Sequence, residues 1–164
     1  MEWEGKVSLA SHRCTGSGEA IPPGSWCWSA LVLVHGTFVR RDHAAAAWAA
    51  ADRSAILSWW KVMVPEPAKV RPKLRLEATV LRRIFTDLKD APARPQRCFA
   101  YVVALCLVRI RAFRILDISR IDGAAVILFE DRSGKIAHRL PDPGMTPEEE
   151  AAMHENLLNV VAVG

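Results

Sequence analysis

Five residues near the amino terminus are of the types that bind metal or carry nucleophilic chemistry: His12, Cys14, Cys27, His35 and His43. Thiolate and imidazole are the usual zinc ligands, and a cysteine beside a histidine can act as a nucleophile with its base. The spacing argues against both. A structural zinc site draws on two close ligand pairs, whereas His12 and Cys14 are one residue apart and Cys27 stands alone. No nucleophile elbow or cysteine-protease signature surrounds either thiol. The expectation is a small buried thiol beside a hairpin, with no metal, no cofactor and no catalytic residue assigned. Cys98 and Cys106 fall in an apolar stretch where thiols pack inertly. Glu148, Glu149 and Glu150 read as charge complementing a helix amino terminus. Gly16-Ser17-Gly18 lacks the further glycine and the lysine of a phosphate loop.

The arginines carry more signal. Arg82 and Arg83 share a helical segment, Arg109, Arg111 and Arg114 gather where the next one ends, and Arg40-Arg41 close a strand. Each group could contact phosphate. Asp42, Asp87, Asp90 and Asp117 lie close in sequence and offset them, which makes a solvated charged face the ordinary explanation. The net charge of +4, from 22 Lys and Arg against 18 Asp and Glu, is also modest beside that of dedicated nucleic-acid binders. Six tryptophans could stack bases, but their spacing places most in a core. Trp60, adjacent to Trp59 and turned off its face, is expected as an exposed contact for a partner.

These side chains must be held by elements that the pattern of apolar residues predicts. Lys6–Ala10 reads as a short strand and Cys14–Gly24 as a loop rich in turn formers. Ser25–Val34 is apolar on both of its faces, as a covered strand is, and His35-Gly36 turns it back into Thr37–Arg40. With Asp42 as its cap, a helix is expected from His43 to about Val62, on the strength of the alanine run and the shared spacing of Trp48 and Trp59. Prolines make Pro65–Arg71 a connector. A second, amphipathic helix is expected over Lys73–Lys89 and a third, apolar nearly all round, over Gln96–Ala112. Three strands follow, Phe113–Ile121, Ala124–Glu130 and Lys135–Leu140, with a type I′ signal at Asp122-Gly123. Thr146-Pro147-Glu148-Glu149 has the form of a capping box and opens a last helix.

Strands and helices thus segregate along the chain, giving an α+β class: an amino-terminal hairpin, three helices, an antiparallel meander and a carboxy-terminal helix, expected as one domain over 1–164. A composition of 51% hydrophobic and 24% charged residues excludes extensive disorder. The longest apolar run, Cys98–Val108, is half of what a membrane span needs. The acidic start Met1-Glu2-Trp3-Glu4 does not fit an export signal, and unpaired cysteines suit a reducing cytoplasm.

Several motifs carry a resemblance. Cys14-Thr15-Gly16 with Ile21-Pro22-Pro23-Gly24, Trp28-Ser29-Ala30-Leu31, Phe38-Val39-Arg40-Arg41-Asp42, Ala47-Trp48, Ser58-Trp59-Trp60, Val64-Pro65 and the stretch Tyr101–Arg109 resemble an uncharacterised family of small bacterial proteins seen in planctomycetes. The resemblance implies a free-standing bacterial protein and brings no activity with it. The sequence therefore favours a non-enzymatic interaction or assembly protein, with a protein partner or a second copy as its ligand. Nucleic-acid association through the arginines is the alternative, and an enzyme of unassigned reaction stands behind both.

Overall fold

The computed structural model describes residues 12–64 and 77–161. The strand expected at Lys6–Ala10, the connector Pro65–Arg71 and the expected start of the second helix lie outside the described residues. Contacts divide the chain into two compact units, one built on the amino-terminal half and including the residues from Leu158 on, the other spanning Glu77–Leu157.

In the first unit β1 (Trp26–Val34) and β2 (Thr37–Ala44) form the expected hairpin, in the register Val34 opposite Thr37. Its turn residues His35 and Gly36 have φ of 48° and 78°, the left-handed pair that a type I′ turn requires and that matches the twist of the strands. The predicted long helix does not form. Only Ala45–Ala49 is helical (α1), and the chain then returns as β3 (Ser58–Met63) on the free edge of β1, giving a sheet of order β2-β1-β3. Two causes override the alanine run. Asp52 accepts the Ser54 amide at 3.0 Å, fixing a turn past the helix, and the Leu57 amide reaches the Leu31 carbonyl at 2.8 Å. Ser58-Trp59-Trp60-Lys61-Val62 then supplies aromatic and branched side chains that suit a pleated surface. Trp48 and Trp59 do meet, at 6.2 Å between ring centroids, but from helix to strand rather than along one helix, and Trp28 stacks on Trp48 at 5.5 Å.

In the second unit α2 (Ala78–Leu88) and α3 (Arg94–Arg109) precede an antiparallel meander of β4 (Phe113–Ile121), β5 (Ala124–Asp131) and β6 (Ile136–Pro141), in sheet order β4-β5-β6. The two strand groups of the chain therefore make two separate sheets. The Asp122-Gly123 turn has φ of 51° and 80°, as its sequence requires. The final helix, α4 (Pro147–Val161), opens on a complete capping box: the Glu149 amide donates to Thr146 Oγ1 at 3.1 Å and the Thr146 amide to Glu149 Oε2 at 2.9 Å.

Leu81, Ile84, Phe85 and Leu88 fall at three- and four-residue steps and are all buried, so α2 presents one stripe to the core. Phe85 sits edge-on to Phe113 at 5.2 Å and to His138 at 5.1 Å, and His138 stacks on Phe113 at 5.8 Å. Burial, with the charge of Lys89 added, holds the His138 imidazole below its ordinary range, against Asp131 and Asp90. Burial lowers His43 and His154 in the same direction. Because the folded values are depressed, the unfolded chain takes up these protons first. The native state keeps its full stability above the unfolded histidine value of about 6.5 and loses it as pH falls through that value toward the folded ones. Melting temperature is expected to drop between about pH 8 and pH 5, and to drop less in His138→Phe. An unchanged slope in the variant would contradict this packing.

Candidate interaction surface

The amino-terminal histidines and cysteines do assemble in part, but around a carboxylate. Asp42, 4% exposed on β2, accepts Ser29 Oγ at 2.7 Å and Arg40 Nε at 2.9 Å, both on Oδ1, while His12 Nδ1 lies 3.6 Å from Oδ2. Asp42 is thus a sheet residue balanced by a buried cation, not the helix cap expected. The Thr15 amide donates to the Asp42 carbonyl at 2.8 Å, which holds the amino-terminal loop along β2. Cys14 and Cys27 share a small buried cluster with Ile21 and Val64, both as free thiols.

The two thiols have opposite electrostatics. Burial would raise Cys14, but the Ser17 hydroxyl and the amides of Ala44, Ser17 and Gly16 more than offset it and hold the thiol below its usual range. Cys27 is pushed up to about 11, by burial first and then by the charges of Asp42 and Cys14 against Arg40. At 2% and 0% exposure, neither residue is presented to a substrate. His35 sits at the hairpin turn, away from this network's sheet partners. Among the described residues no three of His, Cys, Asp and Glu are grouped so as to hold a metal ion.

The arginines singled out in the sequence do not form a set of unopposed cations. Arg82 Nε bonds Asp131 Oδ2 at 3.0 Å, Arg83 pairs with Asp87 at 3.1 Å one helical turn on, and Arg114 Nε bonds Glu130 Oε1 at 2.8 Å. Arg109 and Arg111 are exposed at the end of α3, where Arg111 takes a left-handed φ of 64° as the chain turns into β4. Trp60 is not the exposed contact expected. It is 7% exposed, because the strand that replaces the long helix turns its ring into the unit, and Trp26 at the start of β1 is the half-exposed tryptophan instead.

The most exposed apolar element is one the residue types did not single out. β4 is an edge strand, and every residue from Arg114 to Ile121 is exposed, among them Ile115, Leu116, Ile118 and Ile121. Ile115 stands opposite Phe129 and Ile118 opposite Ile127, so the strand continues the core face outward past buried Phe113. Ile118 reaches 62% exposure. One register shift falls between Ile115 and Asp117, a bulge that leaves Leu116 unpaired with β5. With Arg114, Asp117 and Arg120 interspersed, these are the devices by which a protein keeps an open edge from indiscriminate pairing. A signal was present in the sequence: the charges at 114, 117 and 120 fall on both parities, and so do the isoleucines, so neither face of Phe113–Ile121 can be wholly buried.

Comparison with protein-family models, with curated proteins and with solved structures finds no match to this chain. Two substitutions separate the buried network from the open edge. Asp42→Ala leaves Arg40 and Ser29 without their acceptor inside the unit and is expected to cost about 3–5 kcal/mol. Ile118→Ser removes a side chain that is already in water and is expected to change stability by less than about 0.5 kcal/mol. Denaturant unfolding of the two variants decides this, and a large loss at Ile118 would mean that β4 is not free.

Proposed function

We propose that this protein is a non-enzymatic interaction or assembly module that accepts an extended segment of a protein partner along β4. The observation that carries the reading is the strand itself: nine residues at a sheet edge, exposed for all but the first, with four large apolar side chains in water. Such an edge offers a row of backbone donors and acceptors to an added strand, and alternate side chains of that strand would find Ile115 and Ile118 on one face and Ile121 on the other. Monomeric proteins seldom leave contiguous apolar surface of this kind without a use for it. The charges and the bulge favour a chosen partner over general stickiness.

Among the described residues the candidate thiols are enclosed and the central carboxylate is balanced by Arg40 and Ser29, so these groups are engaged within the fold. Nucleic-acid association draws less support, because four of the seven arginines on which it rests, Arg40, Arg82, Arg83 and Arg114, are engaged by carboxylates at 3.1 Å or less. No helix among the described residues is long and apolar enough to cross a membrane.

A photoreactive side chain placed at position 118, with position 155 on the exposed face of α4 as its control, tests the reading in cells that make the protein. Discrete protein adducts from 118 and none from 155 are expected. Equal labelling from both positions, or none from 118, would overturn it.

A further inference from the structure

The first unit contains an open cleft of about 570 Å³ whose wall is built from small apolar side chains, chiefly Val32, Ala47, Ala51 and Ile56. Its loop side is formed by Thr15, Gly16 and Ser17. Gly16 keeps the loop close to the wall, since a Cβ at that position would lie 3.1 Å from Ala47 Cβ, tighter than most side-chain contacts. The cleft contains two charged residues, Arg41 and Asp52.

Neighbouring arginines on β2 have different fates. Arg40 has an enclosed side chain bonded to Asp42, whereas Arg41 is exposed at the cleft and has no carboxylate partner among the described residues. Asp52 is already occupied in part by the Ser54 amide. His43 also lines the space, and burial, with Arg41 added against Asp42, lowers its pKa and so favours the uncharged imidazole.

A mainly apolar concavity with one guanidinium that no carboxylate among the described residues pairs has the composition of a small-ligand site. A single planar fork suits a carboxylate, which it can hold through two hydrogen bonds, better than a phosphate, whose sites recruit more donors and more charge. We propose that this cleft binds a carboxylate with an apolar body, its carboxylate on Arg41 and its body along the alanine wall. The inference is independent of the strand at β4, which belongs to the other unit.

Octanoate, octylamine and octanol make suitable probes, followed by calorimetry and by the fluorescence of Trp48, whose ring lies 5.5 Å from that of His43. Octanoate is expected to bind saturably and octylamine not to bind. Arg41→Gln is expected to weaken octanoate at least tenfold while leaving octanol unchanged, and Asp52→Asn to tighten octanoate by removing an opposing charge. Ala51→Phe, which fills the space, is expected to weaken octanoate and octanol alike. The Ile118→Ser protein serves as a control, because an amphiphile could instead settle on β4. Equal binding of octylamine, octanoate binding that survives Arg41→Gln in a variant with unaltered melting, or binding lost in Ile118→Ser would each overturn the proposal.

Discussion

The aromatic contact among Phe85, Phe113, Phe129 and His138 is the interaction on which the second unit depends. It joins α2 to all three strands at one end of the sheet, with Phe113–Phe129 centroids 6.4 Å apart alongside the closer Phe85 and His138 pairs. Aromatic pairs of this geometry add about 0.5–1.5 kcal/mol each beyond the area they bury. The contact anchors β4 only at its first residue. Beyond Phe113 every residue of that strand is exposed and its ladder partner is β5, so much of its apolar surface stays in water. An anchored start and an open remainder follow from the same packing, and the surface proposed for a partner is the part of the strand that the core does not reach.

The first unit is governed by a different constraint, the burial of a charge. Asp42 is taken out of water on β2, which is tolerable only because Arg40 and Ser29 meet the same oxygen and His12 approaches the other. That network also ties the amino-terminal loop to the sheet through the Thr15 amide, and the loop then forms one side of the cleft beside Arg41. Of two adjacent arginines, the one facing inward is consumed by the fold and the one facing outward has no carboxylate partner among the described residues.

Much of the second unit was legible from local chemistry. The meander strands lie within about one residue of their expected ends because Asp122-Gly123 and Arg132-Ser133-Gly134 dictate where the chain reverses, and the capping box at Thr146 marks α4 because its hydrogen bonds are local. The segment after Asp42 was not legible. An alanine run and tryptophans at helical spacing favour a helix locally, and they lose to pairing with β1, a partner some thirty residues away that spacing alone does not reveal. Misplacing β3 also misplaced Trp60. Nor could spacing show which carboxylates the arginines meet, since Arg82 finds its partner on β5, 49 residues away. The exposure of β4 depends on what covers a sheet, which is a tertiary property; only the mixed parity of its charges hinted at it.

The proposed use of β4 requires that its outer edge be open in the isolated protein and closed when a partner is bound. Hydrogen exchange reports this directly, because edge amides without a partner exchange far faster than those bonded in a sheet. Those amides of residues 117–121 that point away from β5 are expected to exchange rapidly in the purified, dilute protein and to become protected in extract of the cells that make it, while those of α3 and β5 stay unchanged. Identical exchange of β4 in the two conditions would contradict the account.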